Sequence, residues 1–385
     1  MKIDITRIQF YLVCIYIFIL NFERVYFLPD FFFSKISIAL MILVSVLRFK
    51  KTFSISKQLK YILPMIIIYF MIIVNNYLFR SDSYNEIFHI PFLLNIIVFI
   101  IITNVFSENE NLFNNLFRVF SISTVLTSLC FIFGIGVDYL DGRLSVFMIN
   151  SNILGVHAVI CLFVIIRRFF DNKIKLLDII FSPLLLLLVV ETVSRSAFLL
   201  LFISVIYILF YSGRLTTYKR FYSIFIFIII IPLLFSYILD SFIFERFYST
   251  FIEGDLSARD LVWSKLYNAF EDNFVFGFGQ NGYYNLTELF GFSQNGGISP
   301  HNVFLEVFLY TGIIGLMLYT YFVFKTIRFS LIVKNVLDDI TPLFFATIIF
   351  ILSISGQILE QKLPWILLSY IFISHNHAKK TKKKN

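Results

Sequence analysis

Charge is scarce in this chain: only 15% of its 385 residues are Asp, Glu, Lys or Arg, against about a quarter in a typical soluble domain. That shortage excludes an ordinary water-soluble globule. Cysteine is scarce as well. Cys14, Cys130 and Cys161 each sit inside an apolar run with no paired spacing, which argues against a disulfide framework or a cysteine-built metal site. No Asp-x-Asp, His-Glu-x-x-His or Cys cluster offers metal ligands, and the chain lacks a nucleotide-binding glycine fingerprint. No cofactor, ATP or sugar nucleotide is therefore expected. Period-two alternation in segments of about ten residues is missing too, which excludes a membrane β-barrel. Nor is there an internal repeat of the kind that marks many transporters.

What the chain has in excess is Phe, Ile and Leu. Hydrophobic residues make up 59% of it and the mean hydropathy is +0.85. They fall in blocks at 8–22, 31–47, 61–79, 88–106, 116–136, 148–166, 176–193, 196–211, 221–239, 301–324, 341–358 and 362–374. A helix needs about 20 apolar residues to cross a bilayer, so the expectation is an all-α polytopic membrane protein of about 12 transmembrane helices. Lys2 and Arg7 precede the first run, but no small-residue cleavage site follows, and the run reads as an uncleaved first span.

The net charge of +8 would raise the question of nucleic acid in a soluble protein. Here it follows from orientation, because cytoplasmic loops of membrane proteins are rich in Lys and Arg. With the N-terminus inside and each run reversing direction, 23 of the 32 basic residues fall on inside segments, among them Arg48 to Lys60, Arg167 to Lys175 and Lys379 to Lys384. The acidic Glu108 and Glu110 on an inside loop carry little weight in this rule. Both termini are then cytoplasmic. The expected organisation is a bundle of about nine spans over 1–239, a large external loop over 240–300, about three spans over 301–374 and a basic cytoplasmic tail over 375–385.

That external loop is the longest polar stretch, carrying Arg246, Glu253, Asp255, Arg259, Asp260, Lys265 and Glu271. Asp255 to Phe270 reads as a short amphipathic helix with Leu261, Val262, Leu266, Ala269 and Phe270 as its stripe. Arg259 falls in its first turn, where the helix dipole favours anions. It is either an anion ligand or the partner of Asp255 or Asp260. Phe276 to Gly282 is a turn-rich linker without the Lys and Ser/Thr of a P-loop. Earlier in the chain, Arg195 lies between two apolar runs in Glu191-Thr192-Val193-Ser194-Arg195-Ser196. An arginine at such depth faces a cavity or a partner: a phosphate clamped bidentately, or Glu191 at i,i+4 spacing on one helix.

After the loop comes Pro300-His301-Asn302-Val303-Phe304-Leu305-Glu306, leading into Gly312-Ile313-Ile314-Gly315. A histidine at a water-accessible helix mouth can act as a general base or orient a hydroxyl. Gly312 and Gly315 suit close helix packing. His89, His157, His375 and His377 read as interfacial histidines without a task, and the lysine-rich tail as a topology anchor.

These residues together resemble the bacterial O-antigen polymerases and O-antigen ligases. The resemblance rests on His301-Asn302 separated by nine residues from Gly312-x-x-Gly315, on an arginine in Ser194-Arg195-Ser196-Ala197 at a span start, and on an external loop with Arg259, Trp263, Gly277 and Gly279. Gly142-Arg143 followed by Asn150-Ser151-Asn152 fits as well, so motif detail runs from about 140 to 320. The family implies a metal-independent glycosyltransferase of the bacterial inner membrane whose donor is an oligosaccharide on undecaprenyl pyrophosphate, used at the periplasmic face. It implies Arg195, Arg259 and His301 as catalytic residues and Arg143, Trp263 and Asn302 as substrate-binding ones. Membrane lipid and a chain-length regulator protein are the expected partners, and nucleic acid is not. A polymerase is favoured over a ligase because polymerases are the more divergent and numerous group and share this Phe/Ile-rich composition; no residue separates the two. The competing class is a polysaccharide transporter or flippase, which should show more intramembrane charge than Lys35, Glu191 and Arg195.

Overall fold

The computed structural model describes residues 5–22, 33–48, 52–53, 58–82, 85–107, 110–140, 142–147, 149–211, 248, 263, 273–289, 300–356 and 358–382. The apolar run at 221–239, Arg259 and the amphipathic segment around it lie outside the described residues, apart from Trp263.

Every other apolar run of the sequence falls on a helix. In chain order these are α1 (Ile5–Ile19), α2 (Phe33–Val46), α3 (Leu59–Leu78), α4 (Ile90–Phe106), α5 (Glu110–Ile132), α6 (Ser151–Phe170), α7 (Leu176–Glu191), α8 (Arg195–Ile206), α10 (Val303–Leu337), α11 (Thr341–Ser355) and α12 (Lys362–Lys382), with α9 (Gly279–Leu289) between α8 and α10. Three of them, α3, α6 and α10, are long and apolar enough to cross a membrane. Large apolar side chains stay exposed along the bundle, such as Phe70, Val74, Met317 and Phe324, as expected where the solvent is hydrocarbon rather than water. The protein is an integral membrane protein built of helices.

Two features depart from a purely helical expectation. Strands β1 (Val137–Leu140) and β2 (Arg143–Val146) form an antiparallel hairpin with Leu140 opposite Arg143. Its turn passes through Gly142 at φ 69°, and Asp-Gly between strands is a strong hairpin signal. The second is a break in α10 at Gly312, with φ 65° and ψ −164°.

Between helices in lipid, packing and polar contacts replace the hydrophobic drive, and each buried hydrogen bond contributes about 0.6 kcal/mol. The bundle has many: Tyr61 with Thr326 at 2.9 Å, Tyr319 with Ser353 at 2.7 Å, Tyr207 with Thr347 at 2.7 Å. His157, expected at an interface, is instead buried in the middle of α6 and meets Asn21 at 2.6 Å. Asn21 in turn donates to Ser123 and Thr124, tying α1 to α5 and α6.

An ionic knot marks one end of the bundle. Arg167, near the C-terminus of α6, meets Asp339 at 2.7 Å and also donates to Thr341, while Tyr370 donates to the same Asp339. Helices α6 and α10 therefore finish together there. Their first turns, at Asn150–Asn152 and His301–Asn302, lie at the opposite end.

Candidate functional site

At that opposite end, one group of residues is organised by Asn152. Asn150 caps α6 by accepting from the Asn152 backbone N–H at 2.9 Å, the standard use of Asn before a helix. This leaves the Asn152 side chain on the first turn, where its Oδ1 accepts from Arg143 Nη2 at 2.6 Å and from Ser194 Oγ at 3.0 Å. Ser194 is itself the N-cap of α8, accepting from the Ala197 N–H, and its hydroxyl meets Ser196 at 3.1 Å. One amide oxygen thus joins the hairpin, α6 and the start of α8. It ties Arg143 to the Ser194 cap, the residue before Arg195.

The approach is tight. A Cβ on Gly155 would come within 2.7 Å of the Ala197 Cβ and 2.8 Å of the Thr192 Oγ1, so α8 can start this close to α6 only over a glycine. Val193 is held in the left-handed region at φ 48°, a true outlier for a β-branched residue. Strain of this kind costs on the order of 1–3 kcal/mol and persists where the surroundings over-determine it. The break it creates also removes the i,i+4 alternative: Glu191 ends α7 and Arg195 begins α8, so the two do not share a helix. Glu191 instead faces the hairpin, where burial first and its carboxylate second raise the Tyr139 phenol above its ordinary value.

The second group surrounds His301, which is exposed and likewise left-handed at φ 49°. Asn302 follows as the N-cap of α10 and accepts from the Leu305 N–H at 3.2 Å. Trp263, the one described residue of the amphipathic segment, donates from Nε1 to the Pro300 carbonyl at 3.1 Å. Two members of the expected binding set, Trp263 and Asn302, therefore flank His301. One turn into α10, Glu306 is 1% exposed, and its Oε2 has no hydrogen-bond partner among the described residues.

Around Glu306 lie Tyr310, Tyr283 and Tyr284, with Glu360 and Glu86 close enough to act on the Tyr284 phenol. Burial raises both Tyr283 and Tyr284, and the neighbouring carboxylates add to it. The phenols stay protonated donors at neutral pH. His89 is buried here too, 3.3 Å from Glu360, which corrects its reading as an idle interfacial residue.

The glycine motifs of the sequence meet in space beneath this group. The turn at 273–278 inserts against the α10 break: Ile313 donates to the Phe274 carbonyl at 2.9 Å and Phe278 to the Leu309 carbonyl at 2.7 Å. A Cβ at Gly312 would lie 2.2 Å from the Val275 oxygen, and one at Gly277 2.5 Å from the Gly312 nitrogen. Gly312 is therefore more than a helix-packing residue. It lets the external segment dock into the helix. Asn75 and Asn76 at the end of α3 complete the joint. Asn75 Nδ2 donates to the Phe276 and Tyr310 carbonyls, and Asn76 Oδ1 accepts from the first N–H groups of α9.

Of the expected residues, Arg143 is tied through Asn152 to the Ser194 cap beside Arg195, and Trp263 to the Pro300 carbonyl beside His301 and Asn302. Arg259 lies outside the described residues. Sequence reasoning missed Glu306, His89 and the Asn75-Asn76 pair. The available signal was polar side chains inside apolar runs, which are costly there and usually have a function. Among the described residues, no three His, Cys, Asp or Glu side chains are arranged to hold a metal ion.

Comparison with known proteins bears on the same region. Residues 180–320 match the family model described as O-Antigen ligase, a stretch that runs from α7 through the end of the Gly312–Gly315 motif. No curated protein matches the chain. The match supports the O-antigen ligase and polymerase superfamily and does not separate its two activities.

Proposed function

From the O-antigen ligase and polymerase superfamily as premise, we propose that this chain is a glycosyltransferase of the bacterial inner membrane that polymerises O-antigen repeat units carried on undecaprenyl pyrophosphate. The observation that supports the reading is the Asn152 bridge, which ties Arg143 to the Ser194 cap from which Arg195 and α8 begin. With both termini cytoplasmic, the end of the bundle that holds this bridge faces the periplasm.

The chemistry follows from the residue types. A hydroxyl of the acceptor sugar attacks the anomeric carbon of the donor. The new glycosidic bond forms as the bond to phosphate breaks, and undecaprenyl pyrophosphate leaves with the electron pair. Arg195 and Arg259 stabilise the charge that grows on the leaving group, an effect worth about 10²–10³ in rate for each well-placed donor. Arg143 holds the same anion from the hairpin. His301 takes the proton of the attacking hydroxyl, and its position at an exposed helix mouth suits an acceptor arriving from water. Trp263 and Asn302 shape the acceptor side. The lipid tail needs only the apolar flank of the helices.

The matched family carries the description O-Antigen ligase, and transfer to the lipid A core is accordingly the second reading. Both are tested by Arg195→Ala, Arg259→Ala and His301→Ala in cells whose surface glycan is displayed as a ladder on a gel. Collapse to a single repeat on the core identifies a polymerase. Loss of all attached glycan with lipid-linked polymer accumulating identifies a ligase. An intact ladder in all three variants, with normal insertion, overturns the site.

A further inference from the structure

At the other end of the bundle, α10 and α12 enclose a cavity of about 230 Å³ lined by Lys325, Arg328, Lys379, His375 and the rings of Tyr321, Phe324 and Phe329, with no acidic side chain in its wall. His375 lies flat on Phe329, ring centres 3.6 Å apart and 14° from parallel. It is 1% exposed, and neither ring nitrogen has a hydrogen-bond partner among the described residues. Lys379 sits over the Phe329 ring and Lys325 over the Tyr321 ring. An excess of basic residues on inside segments explains a count of cations. It does not explain why three of them converge on one concavity around a buried imidazole whose nitrogens are unsatisfied, an arrangement that costs free energy until an acceptor arrives.

We infer that this cavity binds the phosphate of an anionic phospholipid. Guanidinium, two ammonium groups and an imidazole N–H supply donors of the type and charge that a phosphodiester accepts, and basic pockets between transmembrane helices are suited to acidic lipid headgroups. What favours a lipid over a free phosphate is the surface beside the cavity. Ile314, Met317, Tyr321 and Phe324 are exposed at spacings of three and four along α10, and Arg328 follows in the same register. That face is one stripe of the helix, a continuous apolar track along which an acyl chain can lie while its headgroup enters the pocket. The leaflet follows from the proposed orientation and would be the cytoplasmic one; the binding chemistry does not depend on it.

The test is lipid retention by the intact, detergent-solubilised protein, read by native mass spectrometry after exchange into phosphatidylglycerol or phosphatidylcholine. The wild type is expected to keep phosphatidylglycerol in preference. Arg328→Gln and Lys379→Gln should each reduce that preference about fivefold and together by about twentyfold. His375→Phe, which keeps the ring stack and removes the nitrogens, should also reduce it, whereas Lys382→Gln on the last turn of α12 should not. Equal retention of the two lipids, unchanged preference in the double variant or in His375→Phe, or displacement of the lipid by inorganic phosphate would each overturn the inference. A Thr381→Cys variant labelled from outside intact cells would overturn the proposed orientation and move the site to the other leaflet, with the headgroup result standing on its own.

Discussion

At the Arg195 side of the candidate site the chain holds Arg143 with a neutral oxygen, while at the His301 side it sets carboxylates, Glu306 buried and Glu360 and Glu86 more open, near phenols. Arg143 is held by an amide, Asn152, and the same amide anchors the Ser194 cap from which Arg195 begins. An amide acceptor fixes a guanidinium without cancelling its charge, which a carboxylate would do. The His301 side collects Glu306, Glu360 and Glu86 around Tyr283 and Tyr284. Such a lining repels an anion and suits hydroxyl groups. The difference matches the proposed division of labour, with leaving pyrophosphate at the arginines and acceptor sugar at the histidine. Each side also carries a non-glycine residue in the left-handed region, Val193 and His301, so both geometries are enforced by the fold rather than adopted by default.

The largest effect that would separate the two sides comes from Arg195. Arg195→Ala is expected to lower turnover on a lipid-linked donor about 10²–10³-fold, with kcat and kcat/KM falling together because the contact forms in the transition state. Arg195→Lys should recover only part of it, since an ammonium cannot replace a bidentate fork. His301→Gln should instead flatten the pH dependence of kcat on the acid side, where an imidazole base would otherwise protonate. If both variants change the same kinetic parameter with the same pH profile, the division of labour fails.

Gly312→Ala should produce the next largest effect, on folding rather than chemistry. The new Cβ would meet the Val275 backbone at 2.2 Å in a φ of 65°, costing on the order of 3 kcal/mol. The damage should be local to the His301 side, because the turn at 273–278 loses its dock while the Asn152 bridge is built on the hairpin, α6 and α8. Thermal unfolding in detergent measures the loss. Protease nicking near 273–289, with the hairpin at 137–146 still protected, would show that it is local. Uniform destabilisation would mean that the two sides fold as one unit.

How much of this could be read from the sequence differs between the sides for a physical reason. The apolar runs were visible because lipid imposes a length and a composition, and each described run is helical. His301-Asn302 and Gly312-x-x-Gly315 were visible because they are close in sequence and of unusual type. The meaning of Gly312 was not, since its collision partner is Val275, 37 positions earlier, and no local periodicity encodes such a contact. The Arg143–Asn152–Ser194 bridge joins three elements by one oxygen atom, and its members are unremarkable singly. Glu306 was on the page as a charge inside an apolar run, yet its burial depends on α9, whose helix begins in what reads as a turn-rich linker. The hairpin had a signal in Asp141-Gly142, overshadowed by the helical pattern on either side.

Asn152 offers a more direct way to break the comparison. Asn152→Ala removes the acceptor for two donors and should reduce activity about tenfold or more, the scale of a hydrogen bond to a charged group. Asn152→Asp keeps both bonds and adds a negative charge beside Arg143. If an added negative charge beside Arg143 weakens its hold on the leaving anion, the Asp variant should fold as well as the parent and still lose about as much activity as the Ala variant. A fully active Asn152→Asp would show that geometry alone is required there, and the electrostatic contrast would fall.

The smallest effect is expected at Glu306. Its buried carboxylate has one oxygen without a hydrogen-bond partner among the described residues. A neutral amide of the same shape is cheaper to bury than an isolated carboxylate. Glu306→Gln should therefore leave thermal stability within about 1 kcal/mol of the parent or raise it slightly, and lower turnover by less than Arg195→Ala does. Glu306→Ala, which opens a cavity among Tyr283, Tyr310 and the α10 helix, should cost about 2 kcal/mol or more. The two variants separate volume from charge. Should Glu306→Gln unfold the protein as Glu306→Ala does, the carboxylate is structural, and the His301 side would owe its architecture to a charge in the way that the arginine side owes its own to an amide.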